Sequence, residues 1–154
     1  SETLSRTNWT ESSFRSVAND VLMPTSDVTP SGLAKASCVV MDDVIIGGDV
    51  LVIRTAPTTV CGTFLSYVIR NTESQILQLV TGTTVFHLYP SDVRRFEFRV
   101  PPIAEQHAIT DVLADMNAEV EALEARLAKT RALKAGMMQQ LLTGRIRLPL
   151  ERGA

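Results

Sequence analysis

The sequence has few of the residues that mark metal centres, disulfide frameworks and membrane spans. Its 154 residues include two cysteines, Cys38 and Cys61, with no CxxC spacing and no histidine cluster nearby. This pattern excludes the common zinc motifs and favours two reduced, buried thiols over a disulfide. No apolar run approaches the ~18 residues of a membrane span, and the N-terminus lacks the basic-then-apolar pattern of a signal peptide. We expect a soluble, cytoplasmic protein.

An excess of positive charge is also missing. The chain has 15 Lys and Arg against 17 Asp and Glu, a net charge of −2, whereas a freestanding DNA-binding domain is usually basic. Catalytic patterns are missing too: we find no Ser-His-Asp arrangement, no carboxylate pair and no glycine-rich nucleotide loop. His87 and His107 fit surface or structural histidines better than ligands. The sequence therefore predicts a protein that is not an enzyme, with no metal site.

A change of composition at Val100-Pro101-Pro102 divides the chain. Before it, β-branched residues, glycines and turns predominate, and after it helix formers continue without proline until Pro149. Prolines suit a helix start but not a helix or strand interior. The length fits one domain with an appendage. We predict a domain over residues 1–100, a long helical segment over 101–148 and a tail over 149–154.

Short strands and helices alternate in the first segment, after a polar stretch (Ser1–Asn19) without a clear element. Strands are predicted from β-branched runs bounded by turns, and helices from apolar spacing and from the capping-box pattern Thr72-Glu-Ser-Gln75, with Gly82 as the stop. The predicted strands are Ser37–Met41, Asp49–Arg54, Thr84–Tyr89 and Arg95–Val100, and the first helix is Gly62–Arg70. The fold class is α+β: a small mixed or antiparallel β domain followed by one long coiled-coil-forming helix.

The long helix is predicted from Ile103 to Thr143, about 60 Å at ~1.5 Å per residue. Apolar residues recur along it at alternating steps of four and three, as in a coiled-coil seam, and Gly144 fits the helix stop. Eight of the ten seam positions are apolar. The positions are Ile109, Leu113, Met116, Val120, Leu123, Leu127, Thr130, Lys134, Met137 and Leu141.

Charge is segregated along this helix. Glu105 to Glu124 contains six acids and no Lys or Arg, and Arg126 to Arg152 contains seven bases and one acid. The helix dipole favours this polarity only within a turn of each end. Two parallel copies would place acid beside acid, whereas antiparallel copies place each acidic half beside a basic half. We predict an antiparallel partner helix; the alternative is a helix that folds back on its own domain with solvated charges.

Several motifs together resemble the specificity (S) subunits of type I restriction–modification enzymes. The opening, Pro101-Pro102-Ile-Ala-Glu105-Gln106-His-Ala-Ile109, and the ending, Lys134-Ala-Gly136-Met-Met-Gln-Gln-Leu-Leu-Thr-Gly144, are similar to the distal conserved region of that family. Upstream, Gly48–Ile53, Phe64–Tyr67 and Gly82–Leu88 are similar to the later part of its target recognition domain. The resemblance covers roughly Leu22 to Leu148.

This resemblance implies a non-catalytic, DNA-binding role. An S subunit carries two target recognition domains, each recognising one half of a split DNA sequence, and two long antiparallel helices that set the spacer. The helices also dock methyltransferase (M) subunits, which bind S-adenosylmethionine and methylate adenine. With one recognition region and one helix, this chain would correspond to at most half of an S subunit, as a half-size protein or as a fragment that needs partners to bind DNA. We expect an antiparallel homodimer that binds double-stranded DNA with M, and in some complexes restriction (R), subunits in the cytoplasm of a bacterium or archaeon.

Two departures from the family keep an alternative open. The recognition segment is shorter than the family's domain, and residues 1–100 contain eight bases and ten acids, a poor electrostatic footprint for a duplex. The alternative is a truncated S-like interaction module that dimerises or binds M subunits without specific DNA recognition.

Candidate DNA contacts are residues of the types that recognise base edges. A solvated surface is the alternative for the basic ones, and a helix stop followed by a strand start is the alternative for the threonines. The candidates are Lys35, Arg54, Arg70, Thr81, Thr83 and Thr84. For M-subunit docking the family pattern points to Glu105 and Gln106, with helix capping as the alternative.

Overall fold

The structure, a computed structural model, describes residues 14–149. Most of the polar Ser1–Asn19 stretch (residues 1–13) and most of the predicted tail (residues 150–154) lie outside the described residues. The chain divides into two compact units between Thr110 and Asp111. The first unit contains all the strands and the short helices, together with the first two turns of the long helix.

Two small antiparallel sheets form the β part of the first unit. In the larger sheet, β1 (Val21–Pro24) lies between β3 (Ser37–Cys38) and β4 (Val50–Ile53). In the smaller sheet, β2 (Ser26–Asp27) pairs with β5 (Phe86–His87). A single residue separates β1 from β2, so the two sheets share one continuous stretch of chain.

Four short helical segments cover these sheets. They are a 3₁₀ helix (Pro30–Ala34), α1 (Gly62–Asn71), α2 (Glu73–Leu77) and α3 (Pro90–Val93). The apolar faces of the 3₁₀ helix, α1 and α2 meet β1 and β4 in one core. Its buried members are Val21, Met23, Leu33, Ala34, Ala36, Leu51, Leu65, Ile69, Ile76 and Leu88.

The α+β fold class is confirmed, and all strand pairs in the described residues are antiparallel. The helix predicted at Gly62–Arg70 is present as α1 and is one residue longer. The strand predicted at Asp49–Arg54 is present as β4. Two other strands are shorter than predicted, because Ser37–Met41 contributes only β3 and Thr84–Tyr89 contributes only β5.

The strand predicted at Arg95–Val100 is wrong. Its alternating pattern is real, because Phe96 and Phe98 pack against the core while Glu97 and Arg99 are exposed. However, the segment leaves the turn after α3 without meeting a strand edge among the described residues. Instead the two phenyl rings stack on each other, with centroids 5.6 Å apart. The alternation of apolar and charged residues therefore indicates that one side of the segment is buried; it does not indicate β pairing.

The capping box predicted at Thr72 is not formed. The Thr72 hydroxyl donates backward to the carbonyl of Val68 at 2.7 Å, so it caps nothing in α2. The second helix exists but ends at Leu77, and Gly82 lies beyond it in a turn with φ of +116°. The Thr72 hydroxyl bonds to α1 and not to α2, because the last carbonyl groups of α1 compete for it as acceptors of its hydrogen bond.

The long helix, α4 (Ile103–Leu142), ends within one residue of the predicted boundary. Gly144 follows it with φ of +71°, the left-handed conformation that commonly stops a helix. The N–H of Ile146 then donates to the carbonyl of Gln140 at 3.2 Å, closing the last turn. Local sequence alone specified this element, since helix propensity, spacing and stop signal all agree.

Candidate functional site

The first turns of α4 are anchored by the side-chain amide of Gln106, which has no exposed surface. Its Oε1 accepts a hydrogen bond from the backbone N–H of Cys61 at 2.8 Å. Its Nε2 donates to the carbonyls of Thr59 and Pro101 at 2.9 and 2.8 Å. Because the amide is buried and fully engaged within the chain, it offers no atom to an M subunit. The docking role predicted for Gln106 gives way to an anchoring role.

Glu105, the other residue predicted to dock the M subunit, has the opposite placement. Its side chain is exposed, and its backbone N–H donates to the carbonyl of Pro102 at 2.9 Å. The docking prediction stays a prediction for Glu105. A carboxylate in the first turn also favours the helix through its dipole.

A turn at Asn19 holds the same end of α1 from the other side. Asn19 has φ of +83°, a conformation that asparagine tolerates better than most residues. Its Oδ1 accepts from the N–H of Gly62 at 2.6 Å, and its Nδ2 donates to the Thr55 hydroxyl and the Val60 carbonyl. Gly62 must lack a side chain, since a Cβ there would lie 2.3 Å from the Asn19 carbonyl oxygen.

Arg54, predicted as a DNA contact, is bound to a buried carboxylate. Its Nε and Nη2 donate to the two carboxylate oxygens of Asp20 at 2.8 and 2.7 Å, a bidentate pair. These bonds hold the pKa of Asp20 below its usual range; burial opposes the shift and the N–H of Val17 adds to it. The guanidinium also lies 5.4 Å from the ring centroid of Phe14. Arg54 therefore neutralises the buried carboxylate of Asp20, a pairing that the sequence pattern did not predict.

The predicted threonines occupy an exposed loop before β5. Thr81 exchanges two backbone hydrogen bonds with His87, at 3.0 and 2.7 Å, which closes the loop. Gly82 follows in the left-handed region, and a Cβ there would meet the carbonyl oxygen of Val85 at 2.1 Å. Thr83 and Thr84 are exposed at the bend. The helix-stop part of the alternative is wrong for these residues because α2 ends at Leu77, whereas the strand-start part holds, since Thr81 pairs with His87 and the loop leads into β5.

Lys35 lies beside the small sheet that carries this loop, whereas Arg70 lies on α1. Lys35 is exposed just after the 3₁₀ helix. It contributes to lowering the pKa of Asp27, whose main cause is the hydrogen bond from the N–H of Thr29. Asp27 pairs with Phe86 in the small sheet, so Lys35 and the threonine loop flank that sheet. Arg70 is exposed in the last turn of α1.

Two exposed valines beside the threonine loop had no sequence signal. Val28 follows β2 and is 74% exposed, and Val85 precedes β5 and is 43% exposed. Val85 lay inside the predicted strand Thr84–Tyr89 and Val28 outside every predicted element, so periodicity gave no reason to select them. Asn19 and Asp20 were missed as well, although adjacent Asn and Asp are typical of turns.

The seam predicted on α4 presents apolar side chains at its surface. Ile109, Leu113 and Leu141 are half-buried. The remaining large apolar seam residues each keep about half of their surface exposed; they are Met116, Val120, Leu123, Leu127 and Met137. These side chains form a row of exposed apolar residues, the exposed apolar stripe of α4, which is broken at Thr130 and Lys134; exposed apolar surface of this kind is typical of interaction sites.

Of the two polar residues in the seam, Thr130 and Lys134, Thr130 disturbs the apolar surface less than the sequence suggests. The hydroxyl of Thr130 donates to the carbonyl of Arg126 at 2.9 Å within the helix. Its hydrogen-bonding need is thus met internally, and its methyl group remains for the seam. Lys134 is then the single charged residue among the ten seam positions.

No group of three or more metal-binding side chains occurs in residues 14–149. Cys61 is buried and Cys38 half-buried, and both are free thiols. Burial raises the pKa of the Cys38 thiol, which makes it a poor nucleophile. In the same part of the chain, no helix is both long enough and apolar enough to span a bilayer.

Replacing Gln106 with alanine should lower the free energy of unfolding by about 2–4 kcal/mol. The substitution leaves one buried N–H and two carbonyls without their partner, and each such loss costs roughly 1–3 kcal/mol. Urea denaturation followed by circular dichroism measures the change. Gln139→Ala, at an exposed position of the same helix, should change stability by less than about 0.5 kcal/mol. Equal effects at both positions would contradict the anchoring role.

Replacing Asp20 with asparagine should cost about 1–3 kcal/mol at pH 7 through weakened bonds to Arg54. Because the pKa of Asp20 is lower in the folded than in the unfolded state, its contribution is complete above the unfolded value of ~4. It is lost as pH falls through the folded value. Denaturation curves of wild type and Asp20→Asn should therefore converge in acid. Asp115→Asn, exposed on α4, serves as control, and a gap unchanged down to pH 2 would refute the ion pair's contribution.

The comparisons with known proteins show the fold. No known family model matches the chain. Among solved structures, the type I restriction–modification system S subunit from M. genitalium is similar, with a TM-score of 0.60 and 18% sequence identity. The match covers 80% of this chain and 32% of that one, so the chain spans about a third of the length of the S subunit it matches. Over most of its length, the chain thus has the fold of part of a type I S subunit.

Proposed function

We propose that the chain is a half-length specificity subunit of a type I restriction–modification system. Its first unit recognises one half of a DNA target, and α4 docks M subunits and pairs with a second, antiparallel helix. The observation that carries this proposal is the exposed apolar stripe of α4, which belongs to a chain with the S-subunit fold. The chain itself is not catalytic; S-adenosylmethionine and adenine methylation belong to the M subunit.

Charge supports a second copy of the chain as the partner of α4. In the described part of the helix, the acids lie from Glu105 to Glu124 and the bases from Arg126 to Lys134. An antiparallel copy places each acidic half beside a basic half along the apolar stripe. An in-register parallel copy would place acid beside acid and would also bring the two Lys134 side chains together in the seam. Such like-charge contacts are destabilising.

The M subunit is expected to use the same helix at its N-terminal end, where Glu105 is exposed, and the R subunit is expected to join through M. Such a complex would act on DNA in the cytoplasm of a bacterium or archaeon.

The six predicted DNA contacts do not support DNA recognition equally. The exposed side chains of Lys35, Thr83 and Thr84 support direct recognition of the duplex, while Arg54 serves Asp20 first.

A second candidate is an S-like module that pairs or binds M subunits without specific DNA recognition. The charge of the first unit favours it, since residues 14–110 contain nine acids and seven bases. Arg54 is also engaged by Asp20, which leaves fewer free cations for phosphates. The exposed threonine loop beside Lys35 favours the first candidate.

Methylation mapping with the M subunit tests the proposed function. The chain is combined with its cognate M subunit and S-adenosylmethionine, and a random duplex library is sequenced for methylated adenines. We expect a single target, symmetric if the chain pairs with itself, and binding that weakens steeply with salt. An M complex that forms but methylates without sequence preference would support the interaction module instead. Failure to bind M would contradict both candidates.

Reversing three of the six acidic charges of α4 should weaken self-association. In Glu119→Lys/Glu121→Lys/Glu124→Lys, basic residues of both copies meet in the antiparallel pair, so the dimer Kd in sedimentation equilibrium should rise by about tenfold or more. Adding Arg126→Glu/Lys129→Glu/Arg131→Glu transposes the pattern and should restore pairing.

Parallel pairing predicts a different result for the same variants. The first variant would replace acid–acid contacts by base–base contacts, and its dimer Kd would stay near that of the wild type. A wild-type monomer at tens of micromolar would contradict self-pairing altogether and favour another partner for the stripe.

A further inference from the structure

We infer that two copies of the chain pair in one specific register, in which the two-fold axis of the antiparallel pair passes at the height of Ala125. This inference rests on the proposed function and deepens it, because it specifies which residues of the partner copy cover the exposed apolar stripe of α4. The spacing of the seam and the charges on its flanks point to the same axis.

The ten seam positions are symmetric about Ala125. When a second helix runs in the opposite direction about this residue, Leu123 of one copy lies at the height of Leu127 of the other. Every other seam position also meets a seam position of the partner. A shift of the partner by one heptad would leave two seam positions of each copy unmatched, and less apolar surface would be removed from water. The remaining matches are Ile109 with Leu141, Leu113 with Met137, Met116 with Lys134 and Val120 with Thr130.

The polar residues of the seam are accommodated in this register. Thr130 and Lys134 lie at the heights of the partner's Val120 and Met116, so neither meets its own copy. The hydroxyl of Thr130 is already bonded within its helix. The aliphatic part of Lys134 can lie along Met116, which is 58% exposed in the single chain, while its ammonium group stays in water. Each polar side chain is thus covered by an apolar one.

Four charged residues beside the seam lie on its two flanks. Glu119 and Arg126 each precede a seam residue and share one flank, whereas Glu124 and Arg131 each follow a seam residue and share the other. Like flanks meet when two helices pair antiparallel. About the Ala125 axis, each Glu lies five residues in height from an Arg of the partner on its flank, about 7.5 Å along the axis. Glu and Arg side chains span this offset, and such flanking ion pairs set the orientation of coiled coils.

A shift by one heptad would break half of these ion pairs. In one direction Glu119 moves to twelve residues from the partner's Arg126, about 18 Å along the axis, and in the other direction Glu124 moves equally far from Arg131. Like charges also meet at the axis, Arg126 with Arg126 and Glu124 with Glu124. Each such pair lies between two opposite charges of its flank. Of the three registers, the one about Ala125 keeps the ion pairs of both flanks.

Spin labels on the outer face of the helix test the register without changing the seam. Ala118, Ala125 and Ala132 are exposed and seven residues apart, so they share one stripe away from the seam. Each is replaced singly by cysteine in a full chain that carries Cys38→Ala and Cys61→Ala. Double electron–electron resonance then measures the distance between the two labels of the dimer. We expect the shortest distance for Ala125→Cys and two longer, equal distances for the other variants, whose labels are offset by about 21 Å along the axis.

The other results separate this inference from the proposed function. Equal short distances for Ala125→Cys and one neighbouring variant would indicate a shift by one heptad, which overturns the register and leaves antiparallel self-pairing intact. Equal distances for all three variants would indicate a parallel pair and overturn both the register and the proposed orientation. A chain that shows no coupling between labels and remains a monomer would overturn self-pairing itself.

Disulfide trapping tests the same register in a chain that keeps both native cysteines, so it does not depend on the folding of the cysteine-free variant. Chains with Leu127→Cys are mixed with chains that carry Leu123→Cys, Met116→Cys or Thr130→Cys, and oxidised glutathione is added. Peptide mass spectrometry identifies the bridged residues. We expect the highest yield of mixed dimer with Leu123→Cys. A higher yield with Met116→Cys or Thr130→Cys would indicate a shift by one heptad and overturn the register.

Discussion

Two backbone N–H groups at the start of α1 organise the first unit. The N–H of Cys61 is bound by the amide oxygen of Gln106, 45 residues later, and the N–H of Gly62 by that of Asn19, 43 residues earlier. A helix start leaves its first N–H groups without partners in the helix. Here the hydrogen-bond partners come from one earlier residue and one later residue of the chain, so the first unit is closed around the start of α1. The strand arrangement, the Asp20–Arg54 pair and the anchoring of α4 all adjoin this point.

This arrangement changes the meaning of the polar residues that looked functional. Gln106 and Arg54 were selected because amides and guanidinium groups bind partners, and both do so, but the partners lie inside the chain. Burial decided both cases, because the buried amide of Gln106 and the buried carboxylate of Asp20 must be satisfied internally, and Asp20 takes the half-exposed Arg54 as its partner. Of the predicted DNA contacts, the exposed ones without an internal partner among the described residues to claim them are the threonines of the loop, Lys35 and Arg70.

The two units differ in how far sequence predicted them. In α4, propensity, spacing, charge layout and the Gly144 stop are local signals, and they gave its end to within one residue. In the first unit, Arg95–Val100 had the alternation of a strand, yet no strand edge within residues 14–149 pairs with it. Thr72 had the spacing of a capping box, yet its hydroxyl bonds to α1. Both failures have one cause, since strand pairing and capping depend on which groups compete nearby.

Sequence by itself determined the α+β class, the long helix, its apolar stripe and its segregated charges, because each follows from residues within a few turns of one another. The tertiary structure decided which polar side chains became framework and which stayed exposed. That choice depends on contacts between residues far apart in the chain, such as Gln106 with Cys61, 45 residues apart, and Arg54 with Asp20, 34 residues apart.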